Sequence, residues 1–275
     1  TNAKCFLAVG SAMRIALALF LPATLAIDTS TIGAPIEYQT VTQTASGANS
    51  LSVSLNISVY VYNGPAVVQN TRGYNGELTG PTIRVNPGDT LTITLTNSLS
   101  REGFDTGSLH NQYRQFDVTN LHTHGLHVSG EAPGDSIFTE VQPGASNTYT
   151  YTIPPDHMGG THWYHPHHHG STAVHAGGGA MGMLIVNDPP GSLPDDIMAM
   201  EELLLTFSHL NMPELTTIAQ QFETNCQNLG GSAAQCDDTV WANGATSGVQ
   251  SDLTLVNSMT EPQISLSANK WYRFR

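Results

Sequence analysis

Residues 51–61, Leu-Ser-Val-Ser-Leu-Asn-Ile-Ser-Val-Tyr-Val, carry an apolar side chain at every second position. Because the side chains of a β-strand point alternately to opposite faces of the sheet, this alternation predicts a strand with one buried face. Leu91, Ile93 and Leu95 alternate with threonines in the same way, directly after the turn sequence Asn-Pro-Gly-Asp at residues 86–89. The body of the chain is therefore predicted to be β-structure.

Two further strands are predicted at residues 148–153, which are rich in Thr and Tyr, and at residues 181–186, which are mostly apolar. Turn sequences containing Pro, Gly and Asn separate these segments. Many short strands with such turns predict an all-β sandwich or barrel that closes near Asp188. A linker rich in Pro and Gly is expected at residues 189–194.

The chain beyond this linker has a less regular pattern. It predicts a strand at residues 203–207, a short helix at 213–222, and alternating strands at 253–257 and 263–275. The alternation is still in progress at the last residue, which predicts that the chain is part of a longer protein.

The charge balance excludes some classes of partner. Only 11% of the 275 residues are charged, and the formal net charge is −13. Nucleic acids and anionic membrane surfaces bind basic surfaces, so this balance argues against both. It favours an acidic, soluble, exported protein.

Residues 1–26 have the features of a leader. A short apolar run at residues 15–21 follows Met13 and Arg14 and precedes small residues that end at Ala26. These are the parts of a secretory signal peptide, and the run is too short to span a membrane. We expect a secreted or extracytoplasmic protein whose natural start is Met13; the alternative is a buried or disordered N-terminal segment.

Cysteine usage agrees with export. Cys226 and Cys236 lie close together in a stretch rich in Gly, Ser and Asn. An oxidising compartment favours a disulfide between them. The alternative is a metal-binding pair, but the residues between them offer no third ligand.

Eight of the twelve histidines fall in two short clusters, and each cluster contains an H-x-H pair, His122 with His124 and His165 with His167. Within a strand, residues two apart point to the same face. Two such pairs on neighbouring strands would direct four imidazoles at one volume. Neutral imidazole is a good ligand for copper, zinc, iron and nickel, so the pairs predict a metal site.

The other histidines of the two clusters are expected to make hydrogen bonds or to face solvent. They are His127, His162, His168 and His169. A single H-x-H pair is weak evidence, because surface strands carry histidines by chance. Two pairs in one β-domain, each set among glycines and aromatic residues, favour the metal site.

Residues 121–126, Leu-His-Thr-His-Gly-Leu, resemble the first copper motif of the multicopper oxidases. Residues 163–167, Trp-Tyr-His-Pro-His, resemble the second, and the flanking segments 74–89 and 178–186 are similar to that family as well. The resemblance implies an all-β fold, a cupredoxin-like Greek-key β-sandwich, with residues 34–190 as a first, plastocyanin-like domain.

The resemblance extends more loosely over residues 200–275, as the truncated beginning of a second cupredoxin domain. The family's type 1 copper site needs a Cys and two His, usually as His-Cys-His, and a matching His-Pro-x-His-x-His motif; the sequence contains neither. The resemblance therefore implies an N-terminal fragment that is inactive alone. Its partners would be the remaining C-terminal domains of the same protein.

The resemblance also implies copper as the cofactor and a role for each paired histidine. His122 would bind the type 2 copper. His124, His165 and His167 would bind the type 3 copper pair. In this family, eight histidines, four from the first domain and four from the last, hold a trinuclear cluster that reduces O2 to water. Asp135 is a candidate for supplying protons or polarising water there, and a turn-forming aspartate is the alternative.

The implied activity is the one-electron oxidation of a small donor, a phenol or a metal ion, coupled to the four-electron reduction of O2 to water. This chemistry requires copper rather than zinc, because zinc does not change oxidation state. Two alternatives remain. One is a non-enzymatic secreted copper-binding module, and the other is a two-domain cupredoxin similar to nitrite reductases or small laccases. The latter needs a type 1 Cys beside a His, which neither Cys226 nor Cys236 provides.

Overall fold

The computed structural model describes residues 5–6, 42–43, 49–63, 67–99, 115–236, 253–259, 262–264 and 266–275. The expected leader, residues 1–26, lies outside this part of the chain except for Cys5–Phe6. None of the helices in the described residues combines the length and the apolarity needed to cross a membrane.

Most regular structure in the described residues is β-strand. The strands are β1 (Cys5–Phe6), β2 (Thr42–Gln43), β3 (Asn49–Asn63), β4 (Val67–Tyr74), β5 (Ile83–Val85), β6 (Thr90–Asn97), β7 (His122–His124), β8 (Ser146–Thr152), β9 (Gly160–His165), β10 (Gly182–Val186), β11 (Glu201–Leu203), β12 (Phe207–Leu210), β13 (Leu253–Val256), β14 (Gln263–Ile264) and β15 (Tyr272–Phe274). The helices are α1 (Thr172–Ala176), α2 (Asp195–Met198), α3 (Met212–Asn228) and α4 (Ala233–Cys236).

The first sheet forms around β3, the strand that the alternating residues 51–61 predicted. β3 pairs antiparallel with β2 and β4 and parallel with β6, and β6 pairs antiparallel with β8. Leu51, Val53, Leu55 and Ile57 are buried as expected, but Val59 is 42% exposed. The prediction of a continuous buried face is wrong at Val59, because the pairing of β3 with β6 ends at Ile57 and leaves Val59 beyond the covered surface.

The second sheet has the strand order β5-β10-β9-β7. β10 lies parallel to β5 and antiparallel to β9, and all five of its residues are buried. β9 pairs antiparallel with β7, which is the edge strand of this sheet in the described residues. Apolar side chains of both sheets, such as Leu91 and Ile93 from β6 and Leu184 and Val186 from β10, belong to one buried cluster. The predicted all-β sandwich is therefore confirmed, with the two predicted histidine motifs side by side on one edge.

The region beyond residue 200 departs from the predicted strands. The strand predicted at residues 203–207 is wrong, because β11 ends at Leu203 and β12 begins at Phe207 in a different sheet. Leu204 and Thr206, which lie between β11 and β12, bind the side chain of Asn257. This side chain accepts a hydrogen bond from the Thr206 amide and donates one to the Leu204 carbonyl.

The strand predicted at residues 263–275 is also wrong as one element, since β14 and β15 are separate. Asn269 lies between them with a φ of 59°, a left-handed conformation that interrupts an extended strand. The parallel partner of β15 is β11, whereas β14 pairs with β1.

The predicted helix is longer than the sequence pattern indicated. α3 begins after Asn211, whose side chain accepts a hydrogen bond from the Glu214 amide, and it continues to Asn228. The predicted disulfide joins Cys226 of α3 to Cys236 of α4. α3 packs against the segment that precedes β7, since the ring of Phe222 stacks on that of Phe116 at 4.2 Å between centroids.

Candidate metal centre

The pairing of β7 with β9 places three of the four predicted ligands on one face. His122 lies opposite His165, and His124 lies opposite Trp163. The ring centroid of His122 lies 5.5 Å from that of His124 and 5.2 Å from that of His165. The ring centroids of His124 and His165 are 5.7 Å apart. One ring nitrogen from each of the three histidines lies within 4.8 Å of the other two. This group of three is the one such cluster of His, Cys, Asp or Glu in the described residues.

His167 reaches the site by another route. The prediction that both members of each H-x-H pair lie in a strand is wrong for this residue, because β9 ends at His165. Pro166 has no amide hydrogen with which to continue the ladder. The His167 ring centroid nevertheless lies 5.2 Å from that of His122 and 5.9 Å from that of His165. All four predicted ligands therefore come together, three from strands and one from a loop.

Hydrogen bonds determine which ring nitrogens can bind a metal. His165 Nδ1 lies 2.9 Å from the Pro166 carbonyl oxygen, and since a carbonyl only accepts, Nδ1 must carry the hydrogen. The lone pair is then on Nε2, a buried atom with no hydrogen-bond partner in the described residues. His122 Nδ1 lies 2.6 Å from Asp135 Oδ2, so His122 also presents the lone pair of Nε2. Such free, oriented imidazole nitrogens fit a transition metal such as copper.

Asp135 is fixed against β7 by three hydrogen bonds. Oδ2 accepts from His122, and Oδ1 accepts from the Thr123 amide at 2.7 Å and from the Thr123 hydroxyl at 3.0 Å. The Asp135 amide donates to the Ser129 carbonyl, and the side chain is 11% exposed. The carboxylate therefore holds both the tautomer and the direction of the His122 ring.

Burial favours the neutral form of two histidines of the site, His165 and His167. Burial, together with the neighbouring rings of His122, His167 and His124, lowers the pKa of His165 to about 4. Burial also lowers the pKa of His167. A neutral imidazole has the free lone pair that metal binding requires, so these side chains are ready as ligands near neutral pH.

Two residues that the sequence did not single out complete the site. Trp163, which is 37% exposed, stacks on His165 with ring centroids 4.0 Å apart and on His124 at 5.3 Å. Asn120 is fully buried and accepts a hydrogen bond from the His167 amide. Trp163 lies inside the second histidine motif, where the sequence could have indicated it. Asn120 lies two residues before His122, and nothing in the sequence indicated its contact with His167.

Two other histidines nearby, His157 and His168, have both ring nitrogens engaged. His157 Nε2 accepts from the His127 amide at 3.1 Å, and His157 Nδ1 donates to the Met158 carbonyl at 2.8 Å. The buried ring of His168 makes hydrogen bonds with Ser171 and Glu140. His162 Nε2 is buried without a hydrogen-bond partner in the described residues, yet no three ligand atoms converge around it.

The described residues thus form a β-sandwich with four imidazoles converging at one edge, the arrangement that the two histidine pairs predicted for a metal centre. Residues 58–191 match the family model described as multicopper oxidase. This segment is a domain of the multicopper oxidase family, which implies the cupredoxin class for its sandwich.

Named relatives agree with this membership. The chain is 28% identical over 202 residues to "Multicopper oxidase mco" of Staphylococcus haemolyticus, an alignment that covers 73% of this chain and 36% of that protein. It is 33% identical over 144 residues to "Laccase-1" of Thanatephorus cucumeris, which covers 52% of this chain and 22% of that protein. Among solved structures, a laccase from Pediococcus acidilactici superposes with a TM-score of 0.48 at 19% identity, over 69% of this chain and 36% of its own.

The chain thus spans about a third or less of the length of these relatives. Copper is the metal that the family implies, and the free ring nitrogens of His122 and His165 fit it.

Proposed function

We propose that this chain supplies half of the trinuclear copper cluster of an oxidase. The oxidase would couple the one-electron oxidation of a small donor, a phenol or a metal ion, to the four-electron reduction of O2 to water. The observation that carries this proposal is the convergence of His122, His124 and His165, whose ring nitrogens lie within 4.8 Å of one another. Family membership supports copper as the metal.

Each of the four histidines has a proposed position. His122 binds the type 2 copper, and His124, His165 and His167 bind the type 3 pair. Copper, when bound, supplies the one-electron steps that a metal of fixed oxidation state does not. The protein's own contribution is to favour the neutral form of His165 and His167 by burial and to aim the ring nitrogens at a common volume.

Asp135 acts, in this proposal, chiefly on His122. Its two oxygens accept three hydrogen bonds, and through one of them the carboxylate orients His122 and holds the hydrogen on His122 Nδ1. The same carboxylate, at 11% side-chain exposure, is the candidate for passing protons toward the site. The orienting role has the more direct support, because every contact of the carboxylate is with an element that positions a ligand.

The domain organisation is part of the proposal. Residues 34–190 form the first cupredoxin domain, and residues 200–275 begin a second. Ion pairs of Asp188 with Arg273 and Arg275 support a close association of the two parts. The type 1 copper and the other four histidines belong to further domains of the same secreted protein.

The test uses the whole protein that contains this chain. Its copper content, its visible absorption from type 1 copper and its O2 consumption are measured with phenols, Fe(II) and Cu(I) as donors. The proposal expects four coppers per protein and O2 uptake with at least one donor. His165→Ala should remove type 3 copper and O2 uptake. The control is His157→Gln, a change outside the site that keeps a hydrogen-bond donor and acceptor. It should leave copper content and O2 uptake unchanged.

Two outcomes contradict the proposal. A parent protein that binds copper but consumes no O2 with any donor supports the non-enzymatic copper-binding module instead. Equal copper content in His165→Ala and the parent would mean that the histidine cluster is not the copper site.

A further inference from the structure

Asn120 links three segments of the site through one side chain. It is fully buried and lies two residues before His122. Its Nδ2 donates to the Ile137 carbonyl at 2.6 Å, and its Oδ1 accepts from the His167 amide at 2.6 Å across 47 positions of the chain. The side-chain amide of Asn120 therefore joins three segments: the one that enters β7, the loop after Asp135 and the loop that carries His167.

His167 needs such a link more than the other ligands do. His122, His124 and His165 are held by the ladder between β7 and β9. His167 follows Pro166, beyond the end of β9, and its amide donates to Asn120 instead of to a strand. The direction of the His167 ring therefore depends on where Asn120 holds the backbone of this loop.

We propose that Asn120 is a positioning residue that sets His167 as the fourth ligand and thereby controls the loading of the type 3 copper pair. This inference rests on the proposed function. A misplacement of about 1 Å in a ligand group is enough to weaken a site of this kind. Outer partners that orient metal ligands typically change metal affinity by about 10–100-fold when they are removed.

The chemistry of asparagine suits this position. The side chain must donate to one carbonyl and accept from one amide at the same time, and a carboxamide does both. Asn120→Ala loses both bonds and leaves the His167 amide and the Ile137 carbonyl buried without them. Asn120→Asp keeps the acceptor for His167 but turns an oxygen toward Ile137.

The chain offers a matched control in Asn97. This residue is also fully buried, and its Nδ2 donates to the carbonyls of Asp117 at 2.7 Å and Val141 at 2.8 Å. Its Oδ1 accepts from the Leu99 amide at 3.0 Å. Asn97→Ala therefore removes the same buried amide group and a similar number of hydrogen bonds, but none of its contacts is with a histidine.

The experiment compares the whole protein with its Asn120→Ala, Asn120→Asp and Asn97→Ala variants. The free energy of unfolding is measured with denaturant, and copper loading is followed by metal analysis and electron paramagnetic resonance, which separates mononuclear copper from a coupled pair. We expect both alanine variants to lower stability. Asn120→Ala alone should raise the copper concentration that half-loads the pair by about 10–100-fold, while the mononuclear signal at His122 is kept.

The outcomes separate this inference from the proposed function. Equal loading of the pair in Asn120→Ala and Asn97→Ala overturns the inference, whereas a parent protein without a copper pair overturns the proposed function. If Asn120→Ala does not fold, Asn120→Asp provides the test. Because that variant loses the bond to Ile137, loading of the pair below that of Asn97→Ala supports the inference, and loading equal to that of Asn97→Ala contradicts it.

Discussion

The sandwich contains two groups of histidines whose ring-to-ring distances are similar but whose hydrogen bonds differ. In the candidate metal centre, the rings of His122 and His165 are 5.2 Å apart. In the second group, the rings of His127 and His157 are also 5.2 Å apart, and those of His157 and His162 are 5.6 Å apart. Ring spacing alone therefore does not distinguish them.

The difference lies in what holds the ring nitrogens. In the metal centre, Asp135 and the Pro166 carbonyl each engage Nδ1 of one histidine and leave Nε2 free. In the second group, the central ring of His157 uses both nitrogens within the protein. A histidine cluster can bind metal when several rings, each oriented through one nitrogen, direct the other nitrogen at a common volume, and in the described residues only the first group does so.

The largest effect is expected from Asp135→Asn, which alters the group that holds His122. An amide facing His122 Nδ1 favours the tautomer with the hydrogen on Nε2, so His122 loses the lone pair it offers to the metal. We expect affinity for the mononuclear copper to fall by about 10–100-fold, measured by copper titration with electron paramagnetic resonance. Glu140→Gln, a matched change beside His168, should leave that affinity unchanged. Unchanged affinity in Asp135→Asn would contradict the orienting role.

His175 is a fully buried histidine that belongs to neither group. Its Nε2 donates to the Phe116 carbonyl, and burial, with the charge of Arg72, lowers its pKa to about 3. An unfolded histidine titrates near pH ~6.5, so the unfolded state gains a proton that the folded state excludes. Stability should therefore decrease by about 1.4 kcal/mol per pH unit as the pH falls from about 6.5 toward 3.

The measurement is denaturant unfolding at pH 7 and pH 5 for the parent chain and for His175→Gln. Glutamine keeps a donor for the Phe116 carbonyl but does not titrate. We expect the parent to lose more stability than the variant over this interval. The same pH dependence in both proteins would show that His175 is not the group responsible.

His157→Ala is expected to have a smaller effect, confined to stability. The variant leaves the His127 amide without its acceptor, which costs about 1–3 kcal/mol if that amide stays buried. The free energy of unfolding should fall accordingly and recover in His157→Gln, while copper content stays at the parent's value. Loss of copper in His157→Gln would break the distinction between the two groups.

The sequence predicted the sandwich well where a strand shows one buried face to the core. The alternation in residues 51–61 and 91–95 corresponds to β3 and β6, because both strands are covered by the facing sheet. Beyond residue 200 the apolar pattern wrongly predicted one strand at residues 203–207, since hydrogen bonds with the Asn257 side chain separate β11 from β12. Such long-range contacts leave no trace in a local pattern.

The candidate site shows the same division. His122 and His124 follow the rule for a strand, and the structure keeps both on one face of β7. The rule failed at His167, although Pro166 already indicated that the ladder would end. The contact of Asn120 with His167 joins positions far apart in the chain, and spacing within a motif does not reveal it.

The most direct test of the central claim is anomalous diffraction at the copper absorption edge from crystals of the copper-loaded whole protein. We expect copper peaks bonded to His122, His124, His165 and His167, with Nε2 as the bonding atom of His122 and His165. We expect none at His127, His157 or His162. Copper bonded to that second group, or no copper at the first, would contradict the account.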